Sequence, residues 1–190
     1  MREKILNEAI DIIRRKGVHG FSFRTLAERC GIKSSSVHYY FPSKRDLILA
    51  ILSDYVNLIK TELDMLKTNE PEPHSRIEKY IDLFLEWIKD GGYDKGCIAL
   101  VVGNELSESD KEVRAVVRGL VRYHISWLAD TIRDGQSAGV FRKDVAPDSF
   151  SPFLLLMLEG GSTVSKATCS GDVLKQGVGY AKSLVEQITV

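Results

Sequence analysis

At 190 residues, with 44% hydrophobic and 27% charged positions and a formal net charge of zero, the chain is long enough to bury a core and has the composition of a globular protein. Its three cysteines, Cys30, Cys97 and Cys169, are scattered and odd in number, which argues against a disulfide framework and for a reducing, cytoplasmic setting. The longest apolar runs, such as 153–158, are far too short to span a bilayer, so no membrane association is expected. No leader is expected either, because Met1-Arg2-Glu3-Lys4 leads straight into an amphipathic pattern.

Charge is unevenly spread. Residues 1–50 hold ten Lys/Arg against five Asp/Glu, and residues 51–190 hold sixteen against twenty-one. A basic N-terminal part on an acidic remainder suggests a nucleic-acid module attached to a body that does not bind nucleic acid.

The first predicted helix covers 3–16, with Ile5, Ala9, Ile12 and Ile13 on one face and Arg14, Arg15 and Lys16 in its last turn, where cations suit the helix dipole. Gly17 ends it, and 18–21 turn the chain. Ser22 caps a short helix through Cys30, in which Phe23, Leu26, Ala27 and Cys30 repeat at helical spacing. Gly31 stops it, and Ile32 anchors a tight turn into a helix over 33–40. Two short helices joined by a turn containing Gly follow the helix-turn-helix plan, whose second helix enters a DNA major groove.

That second helix carries Lys33, Ser34, Ser35, Ser36, His38, Tyr39 and Tyr40. Three consecutive serines are poor helix-interior residues, and core packing does not ask for them. Hydroxyls, aromatic rings and cations on one short element are what phosphate and base-edge contact requires. Pro42 ends the helix. Ser43 caps the next one with Asp46 as its partner, which puts Lys44 at a helix N-terminus where an anion is already favoured.

From Lys44 to about Lys67, Leu47, Ile48, Ile51, Leu52, Tyr55, Leu58, Ile59, Leu63 and Leu66 form one unbroken stripe. Pro71 and Pro73 mark a linker over 68–73. Five more helices are expected. One covers 74–90, with Ile77, Ile81, Phe84 and Ile88, and one covers 96–106, almost wholly apolar and therefore buried. A long helix capped by Ser109 with Glu112 runs to about 136, with Val113, Val117, Leu120, His124, Trp127 and Leu128 inward. Pro147 opens a helix through Phe150, Phe153, Leu154 and Met157 to about 166, and the last spans 171–188. No strand alternation and no repeat is found, so the fold reads as all-α with about nine helices. Gly160-Gly161 and Gly177/Gly179 interrupt the last two helices. They permit close helix approach, either within the chain or between two chains, and Gly179 equally suits a kink.

The spacing Gly31-Ile32-x-x-x-x-Val37-x-x-Tyr40-Phe41-x-Ser43-Lys44-x-x-Leu47 resembles the DNA-binding signature of the TetR/AcrR transcriptional regulators, over about residues 5–52. His38 departs from it, standing where that family usually has Tyr. The resemblance implies a helix-turn-helix DNA-binding domain over 1–46 and a ligand-binding and dimerisation domain over 47–190. It also implies a homodimer through the last two helices, a small-molecule effector, and binding to double-stranded operator DNA, most simply as a repressor. Ser35, Ser36, His38 and Tyr39 would then lie nearest the bases. Ser22, Thr25, Tyr40 and Lys44 would lie nearest phosphate, with Arg24 and Lys33 among the flanking cations.

Catalytic chemistry has no residue to rest on. His19, His38, His74 and His124 lack metal spacing, no glycine-rich phosphate loop follows a strand, and no nucleophile elbow appears, so neither an enzyme nor a cofactor is expected. Trp87, Cys97, Glu105, Tyr123, His124, Trp127 and Met157 are the candidates for an effector pocket between helices. The competing reading makes His124 a satisfied core histidine, the aromatics core, and the cysteines small buried hydrophobes. Two rival functions stay open: a small-molecule-binding or catalytic helical protein with a vestigial head, and an architectural DNA protein without an effector.

Overall fold

The computed structural model describes every residue except Trp87 and Ile88, and leaves out the side chains of residues 90, 91 and 94. Among the described residues it holds nine α-helices and no strand. They are α1 Arg2–Lys16, α2 Phe23–Cys30, α3 Ser34–Tyr40, α4 Lys44–Asn69, α5 Pro73–Glu86, α6 Ile98–Leu106, α7 Lys111–Ser137, α8 Pro147–Thr168 and α9 Asp172–Ile188. The chain forms two compact units. One joins Met1–Leu58 to Lys95–Arg118, the other Ile59–Asp94 to Gly119–Val190, so α4 and α7 each contribute to both. No helix among the described residues is long and apolar enough to cross a membrane.

The first unit is built on the predicted stripes. Ile5, Ala9 and Ile13 of α1 are fully buried with Leu26, Val37, Leu47 and Ile51. Gly31 ends α2 in the left-handed region (φ 68°), where a side chain would be strained. Phe41 closes α3, and the Ser43 hydroxyl and Asp46 carboxylate, 2.7 Å apart, cap α4.

Two expectations are corrected in this unit. Helix α6 is amphipathic rather than wholly buried: Ile98, Ala99, Val102 and Gly103 are inside, while Asn104 is exposed. An apolar run of this length hides which positions face out, because helical spacing turns only some of them inward. The cap of α7 is Asp110, not Ser109. Asp110 Oδ1 accepts from the amides of Glu112 (3.0 Å) and Val113 (3.2 Å), and the Ser109 hydroxyl instead donates to the Leu106 carbonyl (3.2 Å). Ser and Asp are equally good caps, and the ion pair from Arg45 to Asp110 favours the later start.

In the second unit α4 continues to Asn69, so the predicted linker shrinks to residues 70–72, and Pro73 opens α5. Ile88, expected on the 74–90 helix, lies outside the described residues. Tyr80, Phe84, Leu128, Ile132, Phe141, Leu154 and Leu158 form the core with Leu174, Val178 and Val185. Helices α8 and α9 approach closely at Gly161, where an added Cβ would sit 3.1 Å from Leu174 Cδ1 and 3.3 Å from its Cα. An isolated antiparallel bridge, Phe141 to Thr189, ties down the end of α9.

The apolar residues that mark α8 do not all face inward. Leu154, Leu155 and Leu158 are buried, whereas Phe153 is 51% and Leu156 69% exposed. Leu58, read as part of the α4 stripe, is likewise 53% exposed.

Candidate nucleic-acid interface

Helix α2 begins with a reciprocal cap. Ser22 Oγ accepts from the Thr25 amide (3.2 Å), and Thr25 Oγ1 accepts from the Ser22 amide (3.0 Å) while donating to the Ser22 carbonyl (2.9 Å). Both hydroxyls stay on the surface. Arg24 is exposed and reaches Glu28, one turn along (3.3 Å).

Helix α3 has seven residues, of which Val37 alone is buried. Lys33, Ser35, His38, Tyr39 and Tyr40 are exposed, with Tyr39 at 83%, and Ser34 and Ser36 are half-buried. One buried apolar anchor, Val37, therefore leaves most of the helix's polar and aromatic side chains open to solvent. The Tyr39 and Tyr40 rings meet edge to face at 5.3 Å. With Met1, Ile32, Ser35 and Ser36 they line a groove of about 370 Å³. Met1 and Ile32 were not on the sequence-derived site: Ile32 lies in the turn that leads into α3, and only the fold brings Met1 to the groove. The His38 ring packs edge-on against Phe23 at 4.8 Å, and its Nδ1 lies 3.4 Å from the Pro42 carbonyl, so the ring is oriented from two sides.

The start of α4 is less free than its position suggests. Lys44 Nζ donates to the Phe21 carbonyl (2.8 Å) and sits 4.3 Å from the centre of the Phe21 ring. Burial pushes its ammonium below the usual lysine range, opposed by the charge of Glu105. Arg45 forks onto Asp110 (2.6 and 3.2 Å) and Glu112 (2.6 Å). These contacts hold the Arg45 guanidinium firmly protonated and the Asp110 carboxyl below its usual range. No sequence signal pointed to this pairing, since the partners lie 65 and 67 positions apart.

The effector candidates fall into both units. In the first, Cys97 is buried with its sulfur 3.8 Å from the Tyr55 hydroxyl, and both Glu105 oxygens accept amides, from Val18 (3.0 Å) and His19 (3.2 Å). In the second, the His124 ring is buried with Nδ1 2.9 Å from the Tyr80 hydroxyl, and burial lowers its pKa from 6.5 to about 4. Trp127 stacks on Tyr80 at 5.4 Å and donates its indole N–H to the Leu63 carbonyl (3.2 Å). Tyr123 donates to Asp64 (3.1 Å), and Met157 is half-buried. Trp87 lies outside the described residues. Tyr80, absent from the sequence-derived set, is the residue that joins His124 to Trp127.

Two short helices joined through a left-handed glycine, the second exposing nearly all its polar face, define a helix-turn-helix head on an all-α body. Residues 5–51 match the family described as bacterial regulatory proteins, tetR family, and residues 73–178 match the tetracyclin repressor-like C-terminal domain. The chain belongs to the tetR family. Among curated proteins it is similar to the HTH-type transcriptional regulator RutR of Escherichia coli (strain K12). That match is 26% identical over 143 residues, covering 73% of this chain and 65% of RutR, so it spans just under two thirds of that relative. An uncharacterized HTH-type transcriptional regulator in the lacX 3' region of Lactococcus lactis subsp. lactis is 25% identical over 194 residues, covering 98% of this chain and 94% of that protein. A crystal structure of a TetR-family transcriptional regulator from Agrobacterium tumefaciens shares the fold at a TM-score of 0.89. It is 22% identical, with 100% of this chain and 97% of that chain covered.

Proposed function

We propose that the protein is a homodimeric DNA-binding transcriptional regulator, a repressor that releases a roughly palindromic operator when a small molecule binds its body. It acts by binding, without catalysis, in the cytoplasm. The observation that carries this reading is α3: seven residues with one buried anchor and an exposed run of hydroxyls and aromatic rings. In this reading α3 enters the major groove with Ser35, Ser36, His38 and Tyr39 facing base edges. Ser22, Thr25 and Tyr40 face phosphate, with Arg24, Lys33 and Ser34 on the flanks. The two α3 helices of a dimer would read half-sites about 34–36 Å apart, or a multiple of that.

The dimer reading draws on a second apolar stripe left outside. Phe153, Leu156 and Val164 of α8 and Val173 and Tyr180 of α9 are each at least 41% exposed. A Cβ added at Gly160 or Gly177, on the same two helices, meets nothing within 4 Å in the single chain. Exposed apolar side chains on two packed helices suit a partner surface. A mobility-shift assay against DNA upstream of the protein's own gene, repeated across a salt series, tests the function. Retention that weakens steeply as salt rises and is reduced, not abolished, by Tyr39→Ala is expected. Equal retention of unrelated duplexes would contradict it.

A further inference from the structure

We infer that Glu105 and Lys44 form a two-sided clasp on the loop joining α1 to α2, and that Lys44 serves DNA binding as a positioning residue through this clasp, not as a phosphate ligand. The inference rests on the DNA-binding reading above.

The loop runs from Gly17 to Phe21 and is held at both ends by charged side chains from elsewhere in the first unit. At its start, the two Glu105 oxygens of α6 accept the Val18 and His19 amides at 3.0 and 3.2 Å. At its end, the Lys44 ammonium of α4 donates to the Phe21 carbonyl at 2.8 Å and covers the Phe21 ring at 4.3 Å. Hydrogen bonds to ionised groups are about twice as strong as neutral ones, so each end is firmly fixed.

Gly17 fits the same device independently. Its φ of 78° disfavours a side chain, and a Cβ there would collide with the Glu105 carboxylate. Helix α6 is also tied to the head at its other end. Arg14 Nε donates to the Gly96 carbonyl (2.8 Å), and Lys95 Nζ lies 3.5 Å from Asp11. An element far along the chain is thus built into the head.

The consequence falls on α2. Phe21 immediately precedes Ser22, the cap of α2, so a shift of α6 or of the first turn of α4 is passed directly to Ser22 and Thr25. Lys44 is a poor phosphate ligand in this state. Its ammonium is partly desolvated and already bonded, and turning it to DNA would leave the Phe21 carbonyl without its donor. Glu105 is equally committed, which removes it from effector orientation and gives it a positioning role.

The test uses the full chain with Glu105→Gln, Glu105→Ala and Lys44→Met. Amide exchange in the absence of DNA should speed up at Val18 and His19 in the order parent, Glu105→Gln, Glu105→Ala, because Gln keeps one acceptor oxygen of the two. Affinity for a duplex selected from random DNA should fall about tenfold in Lys44→Met, with the slope against log salt equal to the parent's. A slope reduced by about two, one for each protomer of the dimer, would make Lys44 a phosphate ligand and overturn the inference. So would unchanged exchange at Val18 and His19 in Glu105→Ala. The exchange measurement needs no DNA, so a parent that retains no duplex sinks the proposed function while the clasp is still judged by exchange. Glu105→Gln is isosteric and keeps that comparison available if Glu105→Ala fails to fold.

Discussion

Helices α3 and α8 both leave side chains outside that the single chain does not use, and they do so with opposite chemistry. Helix α3 keeps one residue, Val37, for the core and exposes hydroxyls, an imidazole and two phenols. Helix α8 buries a full stripe, Leu154, Leu155, Leu158 and Gly161, and exposes a second apolar one through Phe153, Leu156 and Val164. Polar surplus suits a hydrated, charged partner such as DNA, and apolar surplus suits another protein surface. The difference teaches that the informative positions are those that packing leaves over, and that their chemistry names the kind of partner.

The neighbouring glycines of α8 give the sharpest way to break this comparison. Gly161 already lies against Leu174, so Gly161→Leu should destabilise the chain itself by about 1–3 kcal/mol or more, read as a fall in thermal midpoint. Gly160 has open space around it, so Gly160→Leu should leave the isolated fold intact. The same overpacking, about 1–3 kcal/mol at each of two symmetric contacts, should instead weaken the dimer, read by sedimentation as a shift toward monomer. A Gly160→Leu protein that remains fully dimeric at micromolar concentration would remove the dimer face.

Next in size is a polar residue that packing does use. The His124 pKa of about 4 in the folded chain lies below the 6.5 of a free imidazole, so the unfolded chain takes up the proton first. The stabilisation is therefore complete above roughly pH 7 and is lost as pH falls from there toward 4, by on the order of 3 kcal/mol. Denaturation midpoints across that range should show the loss in the parent and a much flatter profile in His124→Phe. A parent whose stability is flat over the same range would place His124 in water.

Tyr39→Ala should cost about 1–3 kcal/mol in selected-duplex affinity while leaving non-specific binding and the salt slope unchanged. Equal loss on all duplexes would make Tyr39 a backbone contact. The smallest effect belongs to Trp127→Phe, which keeps the stacking on Tyr80 but loses the indole bond to Leu63. A loss of about 1 kcal/mol in unfolding free energy is expected, with no change in DNA binding.

The head was legible in the sequence because its signals are local. Ser22, Gly31, Pro42 and the Ser43–Asp46 cap all act within a few residues, and each holds in the structure. The body was legible as helices but not as faces. Where both stripes of α8 are apolar, periodicity does not choose between them, and the pattern through Phe150, Phe153, Leu154 and Met157 passed over Leu155 and Leu158, which the folded chain buries. Glu105 and His124 were legible as unusual residues, but their partners Val18, His19 and Tyr80 lie 87, 86 and 44 positions away. Only the folded chain shows that both side chains are already engaged.

The most direct test of the central claim, that α3 reads DNA, is operator selection from random duplexes by the parent and by Tyr39→Ala, followed by affinity for selected and scrambled sequences over a salt series. A palindromic site is expected, with half-sites about one helical turn apart or a multiple, bound at least about a thousandfold more tightly than scrambled DNA, with that ratio falling roughly 5–150-fold in Tyr39→Ala. Selected and scrambled duplexes bound alike by the parent, or a ratio untouched by Tyr39→Ala, would contradict it.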